Sequence, residues 1–239
     1  GGVTEQWTQR TELLLGADRL ERLSRSRVLI VGVGGVGAYA AEMLCRAGVG
    51  NLTLIDADEV ALTNINRQLP ATHSVLGCAK VDVLARRFRD INPSVQLDAR
   101  KCYLTEEDMA GLLDEPFDFV VDAIDTIRPK CSLLGECLRR RIPVVSSMGA
   151  GAKTDITQIR FADVWDTYHC GLAKAVRSNL TRMGLKGRKL PVVFCAQQAD
   201  HRAVIMVEGE QNKKTTTGTI SYMPATFGCF LAQYVLERL

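Results

Sequence analysis

The stretch RVLIVGVGGVGAYAAEMLCRAGVGNLTLID, residues 27–56, decides the fold of this 239-residue chain. It opens with a short apolar run at 28–31, passes through four closely spaced glycines and an alanine-rich helical pattern, and ends in a second apolar run at 52–55. Strand, glycine turn, helix and strand in this order predict a βαβ unit. In such a unit the glycines let the backbone approach a phosphate, and the helix N-terminus offers free N–H groups, so the pattern predicts a nucleotide site.

The polar residues that follow indicate which nucleotide is bound. Asp56 ends the second apolar run, where a carboxylate can accept hydrogen bonds from a ribose. A hydride-transfer dinucleotide needs few cations, whereas expelling pyrophosphate from a triphosphate develops charge that Arg, Lys and a metal must stabilise. The sequence therefore favours an ATP site over a nicotinamide site. Its predicted residues are Gly32, Gly34, Gly35, Gly37, Asp56, Asp58, Asn64, Arg67, Gln68, Lys80 and Asp125.

A second carboxylate pair, Asp122 and Asp125, follows the strand pattern at 117–121. Parallel strands in an open α/β sheet end at one crevice, so this pair is expected near the glycine loop. We interpret Asp122 as structural and hydrogen-bonded to nearby backbone. Asp125 is the predicted ligand of the Mg²⁺ that accompanies ATP.

Alternating strand and helix patterns predict a Rossmann-like, doubly wound, mostly parallel α/β sheet that continues into an antiparallel C-terminal part. We expect a single domain over 1–239, with a nucleotide-binding half at 27–150 and a substrate-binding and dimerisation half at 151–239. The predicted helices cover 6–23, 80–91, 106–113, 129–139 (with Pro129 as first residue), 172–183 and a last one from Pro224. The predicted strands after the βαβ unit cover 95–99, 117–121, 142–146, 157–161, 191–195 and 203–207, with a polar loop at 209–218.

The composition is that of an ordinary globular protein, with 46% hydrophobic residues, 24% charged residues and a net charge of +3. The eight cysteines form no C-x-x-C pair, so their spacing does not support a structural zinc site. The uncharged stretch 215–236 contains Pro224 and several threonines, which favours a core segment and closing helix over a membrane span. Without a secretory pattern, we expect a soluble cytoplasmic protein with reduced thiols.

Four motifs together, GVGGVG, LIDADEVALTNINRQ, GCAKV and VVDAID, resemble the ATP-adenylating family of ubiquitin-activating enzymes and molybdopterin- and thiazole-pathway adenylyltransferases. Within that family, SSMGAGAKTDITQI, KAVRSNLTRMG and GTISYMPATFG are most similar to the tRNA threonylcarbamoyladenosine dehydratases. The resemblance implies catalytic roles for Asp125, Arg67 and Lys80. It also implies a homodimer in which Arg10 reaches the ATP phosphates of the partner subunit. The alternatives are a solvated helix residue for Arg10 and a surface residue for Lys80.

The resemblance implies ATP- and Mg²⁺-dependent adenylation of the threonyl carboxylate, followed by attack of the neighbouring carbamoyl group. The alternative within the family is adenylation of the C-terminal glycine of a sulfur-carrier protein. A nicotinamide-dependent oxidoreductase and a non-catalytic nucleotide-binding scaffold are disfavoured by the set Asn64, Arg67 and Asp125. A sulfur-relay partner and a monovalent cation near the basic segment stay open.

The segment AKAVRSNLTRMGLKGRK contains six basic residues and no acid. A solvated helix face is the ordinary interpretation of a charge run, but one-sign charge is also the footprint expected for an RNA backbone. The candidate tRNA-binding residues are Lys174, Arg177, Arg182, Lys186, Arg188 and Lys189. Cys170 follows His169, and because sequence neighbours seldom face each other, we do not expect a catalytic Cys–His pair.

Overall fold

The computed structural model describes residues 5–199, 202, 204–207 and 214–239. The strands are β1 Arg27–Val31, β2 Asn51–Asp56, β3 Gln96–Lys101, β4 Phe119–Asp122, β5 Val144–Ser147, β6 Ile159–Asp163, β7 Pro191–Cys195, β8 Val204–Val207 and β9 Lys214–Thr217. The helices are α1 Gln9–Leu15, α2 Ala17–Arg25, α3 Gly37–Arg46, α4 Lys80–Ile91, α5 Met109–Leu113, α6 Ile127–Arg140, α7 Gly171–Arg182 and α8 Tyr222–Leu236.

One sheet carries the fold, with the strand order β3-β2-β1-β4-β5-β7-β6. Every neighbouring pair in it is parallel except β6 and β7, and β8 and β9 form a separate antiparallel hairpin. The predicted Rossmann-like, doubly wound, mostly parallel sheet is confirmed. The C-terminal part is less antiparallel than expected, because β7 pairs parallel with β5 and so extends the nucleotide-binding sheet.

The sheet has a hydrophobic layer on each face because β1 is apolar and buried from Val28 to Val31. Val28 and Ile30 of β1 pack with α3, α4 and α8, whereas Leu29 and Val31 pack with α5, α6 and α7. This alternation follows from the period of two along a strand. Both faces are therefore covered by helices, and the strand ends are left to form a site.

The helix predicted over 6–23 is wrong as a single element, because Gly16 divides it into α1 and α2. Gly16 has a φ of +89°, a backbone conformation that glycine adopts without steric cost. The two prolines expected to start helices stand at the third position, since α6 begins at Ile127 and α8 at Tyr222. Proline is tolerated there because the first N–H groups of a helix have no partner within it.

The loop predicted at 209–218 is wrong over Lys214–Thr217, which forms β9. Its residues 209–213 lie outside the described residues, as does Ala203 of the predicted strand that became β8. The region predicted as the helix 106–113 is a 3-10 turn at Glu106–Asp108 followed by α5. Within the part of the chain that the structure describes, no helix is long and apolar enough to cross a membrane.

Candidate active site

A cleft of about 960 Å³ opens at the carboxyl ends of the central strands. Val31 at the end of β1, Asp56 at the end of β2 and Ala123 just after β4 contribute to its wall. The strand order reverses between β1 and β4, which is the topological switch point where open α/β sheets bind their ligands. The cleft therefore lies where the sequence places the nucleotide.

The four loop glycines divide between two structural tasks. A Cβ on Gly37 would lie 1.7 Å from the Gly32 carbonyl oxygen, and one on Gly32, whose φ is +88°, would lie 2.5 Å from the Ala123 carbonyl oxygen. These two glycines permit the tight turn and the close approach to the next strand. Gly34 and Gly35 line the cleft together with Gly32, and no side chain of a described residue caps the first turn of α3. The loop thus presents free backbone N–H groups, which suits an anion.

The carboxylate of Asp56 fixes the glycine loop and reaches the cleft at the same time. Its Oδ2 accepts a hydrogen bond from the Val33 N–H at 2.9 Å, and its Oδ1 accepts one from the Asp58 N–H at 2.8 Å. An ionised carboxylate has about four lone-pair sites, so capacity for ribose hydroxyls remains.

Lys80 is not the surface lysine that its residue type would suggest. Its side chain is only 6% exposed, and its ammonium lies 3.6 Å from the largely exposed Asp58 carboxylate. Lys80 opens α4 and lines the cleft, so a buried positive charge is held against the nucleotide side of the site.

Asn64, Arg67 and Gln68 form the floor beneath the glycine loop, and all three line the cleft. The Asn64 side chain accepts from the Ala61 N–H at 2.8 Å and so fixes a 3-10 turn. Arg67 donates to the Thr63 carbonyl at 3.0 Å, which orients its guanidinium. The buried Oε1 of Gln68 has no hydrogen-bond partner among the residues that the structure describes. A buried acceptor without a donor is costly, and a nucleotide hydroxyl or amino group would satisfy it.

Asp122 is structural, as predicted, and it has a partner that the sequence did not reveal. Its Oδ1 accepts from the Ile124 N–H at 3.1 Å, and its Oδ2 accepts from the Ser146 hydroxyl at 2.6 Å. Lys130 of α6 lies 2.8 Å from the same carboxylate, and both side chains are fully buried. The Lys130 ammonium also donates to the Ile124 carbonyl at 2.7 Å and the Ser147 carbonyl at 2.8 Å. This ion pair ties the ends of β4 and β5 together.

Asp125 follows that buried anchor by three residues and is exposed in the cleft. Within the described residues no cluster of three or more His, Cys, Asp or Glu side chains is arranged for a metal. A single carboxylate nonetheless suits Mg²⁺, which usually keeps several waters and binds through one or two carboxylates and substrate phosphates. Asp125 therefore fits the role of a Mg²⁺ ligand.

The far wall of the cleft brings together residues that sequence reasoning did not assign. Lys153 lies in the loop after β5 and is 4% exposed, and its ammonium donates to the His169 carbonyl at 2.8 Å and the Cys195 carbonyl at 2.6 Å. Burial lowers the pKa of Lys153, an effect that the nearby Cys170 and Cys195 thiols oppose. The sequence signal that could have identified Lys153 is its position directly after Gly-Ala-Gly-Ala, which follows a buried strand.

Cys170 also lines this wall, at the start of α7, where its Sγ accepts from the Ala173 N–H at 3.4 Å. The His169 ring turns elsewhere, with Nδ1 2.9 Å from the Ala196 carbonyl oxygen. Among the described residues no hydrogen bond joins the His169 ring to Cys170. The absence of a catalytic Cys–His pair stays a prediction.

The remaining candidate residues lie outside the cleft of their own chain. Arg10 is exposed on α1. Arg177 donates to the Thr167 carbonyl at 3.2 Å and Arg188 to the Leu138 carbonyl at 2.9 Å, so both guanidiniums also brace the fold. Four further basic residues are exposed and have no carboxylate partner among the described residues: Lys174, Arg182, Lys186 and Lys189.

Comparison with known proteins places this geometry in a family. The chain is 46% identical over 241 residues to the tRNA threonylcarbamoyladenosine dehydratase of Bacillus subtilis, covering 96% of this chain and 93% of the relative. It is 39% identical over 256 residues to the Escherichia coli protein of that name, covering 99% and 96%. A crystal structure of the Escherichia coli dehydratase in complex with ATP matches with a TM-score of 0.88 at 32% identity, covering 100% of this chain and 96% of that chain.

The fold and the cleft define an α/β nucleotide-binding class of protein, with a glycine loop and the buried Lys80 in the wall of the cleft. The ThiF family profile matches residues 8–239. This chain belongs to the ThiF family, which confirms the resemblance drawn from its motifs.

Proposed function

We propose that this protein uses ATP to adenylate the threonyl carboxylate of threonylcarbamoyladenosine in tRNA and then closes the ring, with net loss of water. The observation that carries the proposal is that one cleft is lined both by the predicted ATP-binding residues and, on its far wall, by Lys153 and His169. Relatives named as dehydratases match over nearly the whole chain, which supports the same activity here.

The adenylation step follows from the charges on the nucleotide side. The glycine loop binds the phosphates, Asp56 binds the ribose, and Arg67 and Lys80 neutralise charge as pyrophosphate leaves. Asp125 is the residue that would hold Mg²⁺, which supplies charge neutralisation at the phosphates. The activated carboxyl group then carries AMP as its leaving group, and the carbamoyl group of the same nucleoside attacks it. Both reacting groups belong to one molecule, so ring closure benefits from proximity.

We further propose a homodimer that completes the ATP site through α1. This helix has no buried residue, and Leu13 and Leu14 are 73% and 83% exposed. Two adjacent exposed leucines on one short helix favour a surface that a partner covers. Arg10 lies on the same helix and outside the cleft of its own chain, so the dimer would bring it to the phosphates of the partner subunit.

The tRNA is proposed to follow the basic face of α7. The helix begins at the cleft with Gly171 and Leu172 and carries Lys174 in its first turns. Arg182 ends the helix, and Lys186 and Lys189 continue the positive charge beyond it. A line of cations that has no carboxylate partner among the described residues and starts at the cleft suits a phosphate backbone. In this arrangement residues 27–150 bind the nucleotide and residues 151–239 bind the substrate within one domain.

Nucleoside mass spectrometry tests the proposal. tRNA bearing open threonylcarbamoyladenosine is incubated with the protein, ATP and Mg²⁺, and a product one water lighter is expected. Asp125→Ala should abolish the product, whereas Asp90→Ala, which removes an exposed carboxylate of α4 outside the cleft, should not. An unchanged mass, together with pyrophosphate exchange only when a sulfur-carrier protein is added, would replace this proposal by adenylation of that carrier.

A further inference from the structure

His169 is held in the wall of the cleft at three points. Its ring Nδ1 lies 2.9 Å from the Ala196 carbonyl oxygen, and its own carbonyl oxygen accepts from the Lys153 ammonium at 2.8 Å. The Tyr168 ring packs edge-on against the imidazole, with 5.1 Å between ring centroids and an interplanar angle of 81°. Such fixation is unusual for an exposed side chain, because exposed side chains ordinarily sample several rotamers.

The backbone of His169 is also constrained. Its φ is +53°, in the left-handed region that only a few per cent of non-glycine residues occupy, most often Asn, Asp and His. The two bonds from the buried Lys153 ammonium, to the carbonyls of His169 and Cys195, hold this conformation. Unfavourable backbone conformations that the surrounding structure enforces cluster at functional sites.

The bond to Ala196 decides which ring nitrogen is free. A carbonyl oxygen can only accept, so Nδ1 must carry the hydrogen. In the neutral imidazole Nε2 then holds the lone pair, and it forms no hydrogen bond with any described residue. Because His169 lines the cleft, its Nε2 is a proton acceptor on the wall opposite the predicted ATP-binding residues.

Ring closure requires such an acceptor. In threonylcarbamoyladenosine one carbonyl joins the adenine amino group to the threonine amine, so the attacking unit carries N–H protons. When it bonds to the activated carboxyl carbon, one N–H proton must leave. The bond from that carbon to the AMP oxygen breaks at the same time, and AMP departs with the electron pair and with an oxygen of the original carboxylate.

We propose that His169 is the general base of this ring-closure step, an inference that rests on the proposed function. Nε2 takes the N–H proton as the new ring bond forms, and the bond from Nδ1 to Ala196 keeps the ring in the productive tautomer and orientation. Tyr168 and Lys153 are positioning residues, because they act on His169 and not on the substrate.

The two chemical steps separate this role from the adenylation step. Adenylation needs the predicted ATP-binding residues but no base on the wall that contains His169. Substrate-dependent exchange of pyrophosphate into ATP should therefore persist without His169. The variant is His169→Gly, since glycine adopts the positive φ without cost and leaves space in an open cleft for added imidazole. His73→Gly removes another exposed histidine that does not line the cleft and is the matched control.

With tRNA bearing the open nucleoside, His169→Gly is expected to lower the rate of the dehydrated product by about 10²–10⁴-fold, the range of general-base catalysis. Its pyrophosphate exchange should stay near the wild-type rate, and added imidazole should restore product formation. His73→Gly should match wild type in both assays. A wild-type rate of dehydration in His169→Gly, loss of both steps together, or no restoration by imidazole would overturn the assignment. Failure of the wild-type protein to perform either step would instead overturn the proposed function, and this inference with it.

Discussion

The substitution Lys130→Met tests the buried ion pair that holds the loop carrying Asp125. It keeps the length and apolar stem of the side chain but removes the ammonium that contacts Asp122, Ile124 and Ser147. Both charged side chains are fully buried, so the Asp122 carboxylate would lose its counter-charge at a position that solvent does not reach. Removing one partner of a buried pair costs about 3–5 kcal/mol. For a chain of this size that loss lowers Tm by roughly 6–20 °C, at about 2–4 °C per kcal/mol.

Thermal and urea unfolding measure the change, with Lys101→Met as a matched control. Lys101 forms an ion pair with Glu59 at 2.9 Å, but both side chains are about half exposed, so that substitution should cost less than about 1 kcal/mol. The double variant Asp122→Asn with Lys130→Met should be more stable than Lys130→Met alone, since it removes the unpaired charge. The reasoning would be refuted by equal losses for Lys130→Met and Lys101→Met, or by a double variant that is less stable than both single variants.

Three further outcomes follow from particular contacts. A Cβ at Gly228 would lie 2.7 Å from atoms of α3, so Gly228→Ala should lower the free energy of unfolding by about 1–3 kcal/mol, as measured by urea unfolding. Gly111 has open space around it, so Gly111→Ala should be neutral or stabilising in the same measurement. The hydrogen bond from Arg100 lowers the pKa of Glu115. At neutral pH, Glu115→Gln should therefore have a free energy of unfolding lower than wild type by under about 1 kcal/mol. This difference should vanish as the pH falls through the lowered pKa. For the proposed homodimer, Leu14→Glu should shift the sedimentation of the protein from dimer to monomer and reduce its ATP-dependent activity. A dimer that persists in this variant would exclude α1 from the interface.

The parts of the fold and site that could be predicted depend on local pattern. The βαβ unit is recognisable because its glycines, apolar runs and closing acid lie within 30 consecutive residues. The strand ends then bring Asp56 and Asp125 together by topology alone, since parallel strands with helical crossovers end at one edge. Lys80 was predicted from its charge and from the resemblance, and the structure shows its side chain buried in the wall of the cleft.

What escaped prediction depends on contacts between distant segments. Lys130 stands in an ordinary amphipathic helix, and only the docking of α6 onto the sheet buries it against Asp122. The role of Gly16 as a helix break was missed because leucines on both sides continue a helical period across it. The tautomer of His169 is set by Ala196, 27 residues away, and no periodicity records such a pairing.

The buried lysines show how the fold separates structural charge from charge offered to a ligand. Lys130 is paired with the buried carboxylate of Asp122 at 2.8 Å, so that carboxylate opposes its charge within the fold. Among the described residues, Lys80 has one carboxylate partner, the largely exposed Asp58, and solvent screens that partner more than it screens the lysine. The hydrogen bonds of the Lys153 ammonium to described residues go to carbonyl oxygens. The lysine in the sheet interior is thus paired with a buried carboxylate, whereas the lysines in the cleft walls are not. An anionic substrate that enters the cleft meets one buried lysine on each side, Lys80 and Lys153. This distribution favours the proposed reaction of a triphosphate with a carboxylate, because both reactants are anions that repel each other.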